Sequence, residues 1–417
     1  MSALMLLLVL LVVSYIGGHW ASSPGRRAFG SASGIEYVAL GMVLGPEGLA
    51  ALDAQVLDAF EPVSLVALGW IALGYGVEVG AVGDQGVRKG PVLCGLLLTW
   101  LLAGATAGCV ALLAEQAELP IYGADLALLS AGVGLVSAQS VRDAVIWVSD
   151  RDGARGPLTS WLVDFSRAND APVLLSLPFL FAFFHPRQTL AGHDFGVVFM
   201  ASLSLTCGAV LGLMAAWLFA HASSRAERWT ILLGAGLLAT GGIESIGLSA
   251  MGTCFALGVT LSLKVKNTEQ MREKLAATEG PVLLPALLLA GAHLAAPRVA
   301  GEWWLLALAA TTRIAVTVAT GAVMALSTRR GRAVVPFFSL GLLSSGTLSM
   351  IVGFALLLRF DGDAGRATLA TAFIGTVLGE LIGAPALRRA LLLSGELAPL
   401  ATPDSRTGSD QQAEATA

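Results

Sequence analysis

Apolar runs close to the length of a bilayer-crossing helix recur along nearly the whole chain. A span needs about 20 mainly apolar residues, and in lipid the backbone must satisfy its own hydrogen bonds, as a helix does. The chain therefore reads as an all-α polytopic membrane protein. Thirteen candidate spans lie near residues 2–17, 32–47, 62–81, 90–114, 121–148, 158–184, 194–220, 228–243, 246–263, 279–297, 302–327, 333–358 and 366–391. The composition agrees: 13% of residues are charged, against about 25% in soluble domains. The first run lacks the positive n-region of a signal peptide and is read as a retained helix. Residues 398–417 are polar and rich in small residues; they are read as a disordered tail, with no soluble regulatory domain expected after them.

Charge placement orients the spans. Counting residues at the span ends with the side they adjoin, 18 of the 25 Lys and Arg residues fall in the tail and the loops after odd-numbered spans, 4 fall on the opposite side, and 3 (Arg142, Arg167 and Arg313) fall well within spans. By the positive-inside rule the N-terminus lies outside and the C-terminus in the cytoplasm, which requires an odd number of spans. Arg outnumbers Lys 21 to 4, as in a GC-rich bacterial genome, and the chain is expected in a bacterial inner membrane. The net charge of −4 and the absence of a basic tract leave no nucleic-acid partner. The four cysteines stand singly in apolar runs and read as packing residues, so neither cofactor nor structural metal is expected. No nucleophile–base pair or phosphate-binding glycine loop stands out, and "GAGLLATGG" has the wrong spacing. An enzyme is not expected.

Two spans are interrupted. Span five carries Ser137-Ala138-Gln139-Ser140 in its middle, and span twelve carries Ser344-Ser345-Gly346-Thr347. Small polar breaks at matching places point to the discontinuous helices of an inverted-repeat transporter. The breaks lie seven spans apart, as they would if spans four to six repeat, inverted, as eleven to thirteen. The other reading is of two Ser-rich helices whose hydroxyls bond back to their own carbonyls. GxxxG steps at Gly41–Gly45, Gly104–Gly108 and Gly375–Gly379–Gly383 suggest close helix approach.

Span six holds ionisable residues where lipid disfavours them by roughly 2.5–3.5 kcal/mol each. Asp170 is followed by Pro172, which frees a carbonyl one turn back. Ser166, four residues earlier, shares its face, and Asn169 adds an amide. A carboxylate, a hydroxyl and loosened carbonyls suit a small hard monovalent cation, and the same carboxylate can take a proton instead. Two mutually exclusive occupants are the minimum for exchange. The alternative is a cluster of paired charges, Asp164 included, that caps the span. Arg313, deep in span eleven, can stabilise such a site but carries no proton, because its guanidinium stays charged. Glu78, at the inner end of span three, reads as a cation funnel, a helix–helix lock or an interfacial carboxylate.

Several segments are similar to the monovalent cation/proton antiporter superfamily: "GIEYVALGMVLGPEGL", "LGYGVEVGAVGDQGVRKG", "LSAMGTCFALGVTLSL" and "LGELIGAPALRRALLLSGE". Most specific is Ser166-x-x-Asn169-Asp170, which resembles the family's Ser-x-x-Asn-Asp ion site. The resemblance covers nearly the whole chain. It implies that Asp170 binds cation or proton between two crossing broken helices, and that Arg313 is the core basic residue. The Asn-Asp form resembles the electroneutral branch, implying one H⁺ per cation, with Na⁺ ahead of K⁺ or Li⁺. The pattern departs in three places. Gln139-Ser140-Val141 stands where Thr-Asp-Pro is common, Arg167 replaces an aliphatic residue, and Ser345 replaces an Arg; Thr347 follows that second break. Arg167, if paired with Asp170, would compete with the cation.

The resemblance also implies an elevator transporter, dimeric, with residues 1–89 and 228–298 as scaffold. Residues 90–184 and 302–391 would be the moving core, and residues 194–220 the linking helix. Two other readings of these residues stay open. One is an organic-anion carrier or proton-coupled symporter using Arg167 and Arg313. The other is a non-transporting sensor or partner subunit in which Arg167 locks Asp170.

Overall fold

The computed structural model describes residues 34–81, 89–113, 121–138, 145, 153–184, 189–190, 193–194, 196–265, 268–295, 300–327, 340–343 and 346–397. The first predicted span, most of the second half of span five, most of the first half of span twelve and the tail lie outside these residues.

Fourteen helices are described: α1 (Ile35–Leu44), α2 (Ala54–Ala59), α3 (Glu61–Gly80), α4 (Lys89–Leu113), α5 (Ala124–Ser137), α6 (Pro157–Phe184), α7 (Val197–His221), α8 (Arg225–Leu237), α9 (Ala250–Lys264), α10 (Thr268–Ala292), α11 (Ala300–Ser327), α12 (Thr347–Arg359), α13 (Asp363–Leu378) and α14 (Ala384–Leu393). Between α6 and α7, strands β1 (Thr189–Leu190) and β2 (His193–Asp194) form a two-residue antiparallel ladder, a small departure from the all-α expectation. Among the described residues, five segments are long and apolar enough to cross a membrane: Glu61–Gly80, Gly95–Leu113, Val197–His221, Met271–Ala292 and Asp363–Leu393. Shorter apolar helices include α1, α5, α9 and α12.

The helices pack as two neighbourhoods. In one, α9 lies between α3 and α7, α10 packs on α1 and α3, and α8 touches α7 and α3. In the other, α4 packs on α5, α6 and α11, and α13 packs on α5, α11 and α12. They meet where α6 touches α3, α7 and α9, and where α12 touches α3 and α10.

Glycine makes the first neighbourhood dense. A methyl group on Gly76 would overlap the Phe255 carbonyl, and one on Gly258 the Leu73 carbonyl, so α3 and α9 touch backbone to backbone. Gly208 and Gly212 do the same for α7 against Thr253 and Leu257 of α9. Lipid gives apolar side chains no reason to flee solvent, so such close van der Waals contact is what holds helices together there. Of the glycine steps read from sequence, Gly41–Gly45 is a true contact, against Leu288 and Ala292 of α10. Gly104 and Gly108 have open space beside them, and Gly379–Gly383 is a π-helical turn. A second π turn, Leu238–Gly242, follows α8. Helix α10 begins eleven residues before the apolar run at 279, placing Arg272 and Lys274 on a helix rather than in a loop.

Candidate functional site

Both predicted interruptions are real ends of helices. Helix α5 stops at Ser137, where the Ala138 N–H donates to the Gly134 and Leu135 carbonyls. Helix α12 starts after Gly346, which is extended at φ −93° and ψ 164°. The two ends meet: the Ser349 hydroxyl, in the first turn of α12, donates to the Val136 carbonyl at 2.7 Å. A helix C-terminus carries partial negative charge and an N-terminus partial positive charge. The broken helices therefore face each other with complementary ends, and Ser349 satisfies a carbonyl left over by the stop of α5.

Helix α6 carries the charged segment and runs unbroken through Pro172 and Pro178. Its N-terminus is closed from a distance. The Glu396 carboxylate accepts from the Leu158 N–H at 2.5 Å, the Thr159 N–H at 2.7 Å and the Thr159 hydroxyl at 2.7 Å. A carboxylate there satisfies orphan donors and complements the helix dipole.

Ser166, Asn169 and Asp170 are all buried, Asp170 with 4% of its surface exposed. The Ser166 hydroxyl donates to the Val163 carbonyl at 3.0 Å, so only its lone pairs remain for another partner. Thr99 of α4 meets the same cluster. Its hydroxyl lies 2.8 Å from the Gly95 carbonyl, 3.2 Å from the Asn169 carbonyl, and against the Asn169 side-chain amide. One hydroxyl proton serves one acceptor at a time. The Thr99 hydroxyl therefore donates to one of three oxygens, the Gly95 carbonyl, the Asn169 carbonyl or the Asn169 side-chain Oδ1.

Arg313 is buried on α11 with 6% exposed, and α11 packs on α4, α5 and α13. Thr347 is buried at the first position of α12. Asp164 is half-buried on α6. Glu78 of α3 lines a small cavity with Arg272 and Glu279 of α10, at the seam of those two helices. Gln139, Ser140 and Ser345 lie outside the described residues. Arg167 lies on α6, and its side chain is outside what is described.

Three contributors were missed. Thr99 was visible as the polar residue in "LLLTWLLAG", but nothing in sequence pairs it with a residue 70 positions away. Glu396 ends the segment quoted for the last helix, just beyond the last span, and nothing in sequence ties it to the start of α6. The third is an ion pair: Arg359, at the end of α12, donates to Glu244 at 2.7 Å and to the Gly247 carbonyl at 2.6 Å, with its guanidinium 5.7 Å from the Phe181 ring centroid. It closes one side of a cavity of about 100 Å³ lined also by Glu61 and Met251.

No protein-family model matches the sequence, and none of the curated proteins is detectably similar to it. Solved structures are similar in fold. One structure of the sodium proton antiporter MjNhaP1 from Methanocaldococcus jannaschii, at pH 8, aligns with a TM-score of 0.68 at 15% identity. That alignment covers 95% of this chain and 99% of that one. An electron-microscopy map of the same antiporter aligns with a TM-score of 0.66 at 15% identity, over 97% and 100% of the two chains. The chain shares the fold of that structure over almost its full length.

Proposed function

We propose that the chain is a secondary transporter that exchanges a monovalent cation, Na⁺ first, for H⁺. The observation that carries the reading is the buried Ser166–Asn169–Asp170 cluster on α6, held by Thr99 of α4, within the fold of a sodium proton antiporter. A carboxylate is costly in such a place, and Asp170 is the group of the cluster that can take either a cation or a proton. The Ser166 lone pairs and the Asn169 oxygen complete an all-oxygen site for the cation. Arg313 supplies fixed positive charge without exchanging a proton. With Asp170 as the one carboxylate in the cluster, the exchange is one for one and electroneutral.

Alternating access follows from the same electrostatics: the neutralised site crosses and the bare one does not. In this reading α4–α6 and α11–α14 move against α1–α3 and α8–α10, with α7 between them. The Arg359–Glu244 contact spans that boundary on the side the charge asymmetry assigns to the exterior, so it holds the outer face shut.

Proton release tests the binding step without a membrane. Adding Na⁺ to the detergent-solubilised chain in weak buffer should release protons from wild type and none from Asp170→Asn. Equal release from both would contradict the assignment.

A further inference from the structure

A cavity of about 400 Å³ opens where α7, α8, α9 and α10 converge, on the side that the Lys/Arg asymmetry assigns to the cytoplasm. Arg225 and Arg228 of α8, Lys264 of α9 and Lys274 of α10 line it, and among the described residues no carboxylate does. None of the four is salt-bridged to a described residue. Glu227, the acid next to Arg228, is engaged elsewhere, accepting from the Ser223 and Ser224 N–H groups at 2.7 and 3.3 Å. The Lys274 ammonium sits 5.6 Å from the Trp229 ring centroid, and Trp229 in turn stands edge-on to Trp70 of α3. Lys274 is thus held against the bundle, while Arg225, Arg228 and Lys264 stand exposed at the mouth of the cavity.

Four like charges around one hollow repel one another unless an anion lies among them. The other half of the cavity says which anion. Phe219, Leu232 and Met271 line it too, and Leu213 and Trp217 of α7 and Leu233 of α8 continue outward as exposed apolar surface. A soluble anion has no use for that surface, whereas acyl chains do. We propose that this pocket binds an anionic phospholipid of the cytoplasmic leaflet. Its phosphate lies among Arg225, Arg228, Lys264 and Lys274, and its chains run along the exposed face of α7. Basic pockets between helices on the cytoplasmic side are suited to this ligand. The proposal does not depend on what the chain transports.

The test is binding of fluorescent phosphatidylglycerol and phosphatidylcholine to the full chain in detergent, wild type against Arg225→Gln/Lys264→Gln, with glycerol phosphate as competitor. Wild type should prefer the anionic lipid. Each exposed cation removed should weaken that lipid about fivefold while leaving phosphatidylcholine unchanged, and glycerol phosphate should displace little. Each single variant serves if the double one folds poorly. Equal binding of the two lipids, or an unchanged preference in the variants, overturns the proposal. Displacement by glycerol phosphate at the lipid's own concentration makes this a soluble-anion site and overturns it as well.

Discussion

Arg359 and Glu244, 115 residues apart in sequence, are joined by a 2.7 Å charge-assisted hydrogen bond that ties the end of α12 to the turn before α9. The pair is largely shielded from water, so it is worth more than a surface ion pair. Removing either partner strands a charge. Glu244→Gln and Arg359→Gln should each destabilise the closed arrangement by about 1–3 kcal/mol. A double-mutant cycle on thermal unfolding should give a coupling of about 0.5–3 kcal/mol. In a transporter that closes its outer face with this contact, both variants should also increase labelling of a cysteine placed at Leu65, which lines the same cavity, by an impermeant reagent added outside.

Thr99→Val keeps the shape at Asn169 and removes its hydroxyl partner. A buried amide short of a partner costs about 1–3 kcal/mol. Apparent cation affinity should fall roughly tenfold, and Thr99→Ser should restore most of it. Cation-dependent exchange rates across a concentration series check this.

Glycine substitutions separate true helix contacts from chance spacings. Gly258→Ala drives a methyl into the Leu73 carbonyl, and Gly76→Ala into that of Phe255, so each should markedly lower thermal stability by forcing α3 and α9 apart. Gly104→Ala meets nothing within 4 Å and should be neutral, or stabilising by up to about 1 kcal/mol from helix propensity.

Local chemistry was legible in the sequence, and distant pairing was not. Small residues at Ser137-Ala138 and Ser345-Gly346 marked where α5 ends and α12 begins, because a broken helix needs residues that tolerate freed backbone. Ser166, Asn169 and Asp170 stood out because charge in an apolar run is costly, and all three are buried. The partners of those residues lie far off in the chain. No period or motif ties Thr99 to Asn169, Val136 to Ser349, or Glu396 to the start of α6. Gly41–Gly45 and Gly104–Gly108 read alike in sequence, yet only the first meets a neighbouring backbone. What separates them is which helix lies opposite, a property of the assembled bundle.

Glu396→Gln keeps the size of the side chain that closes α6 and removes its charge. Loss of the charge at that N-terminus should lower stability by about 0.5–2 kcal/mol, visible as a reduced melting temperature. Glu396→Asp, one methylene shorter, should recover part of the charge interaction.

The most direct measurement is cation-driven pH change in proteoliposomes, wild type against Asp170→Asn, with Na⁺, K⁺ and Li⁺ added in turn and the membrane potential clamped or left free. Wild type should move protons on Na⁺ addition at the same rate under both conditions, and Asp170→Asn should not. No cation response from correctly inserted wild type, or full activity in Asp170→Asn, would contradict exchange through this carboxylate.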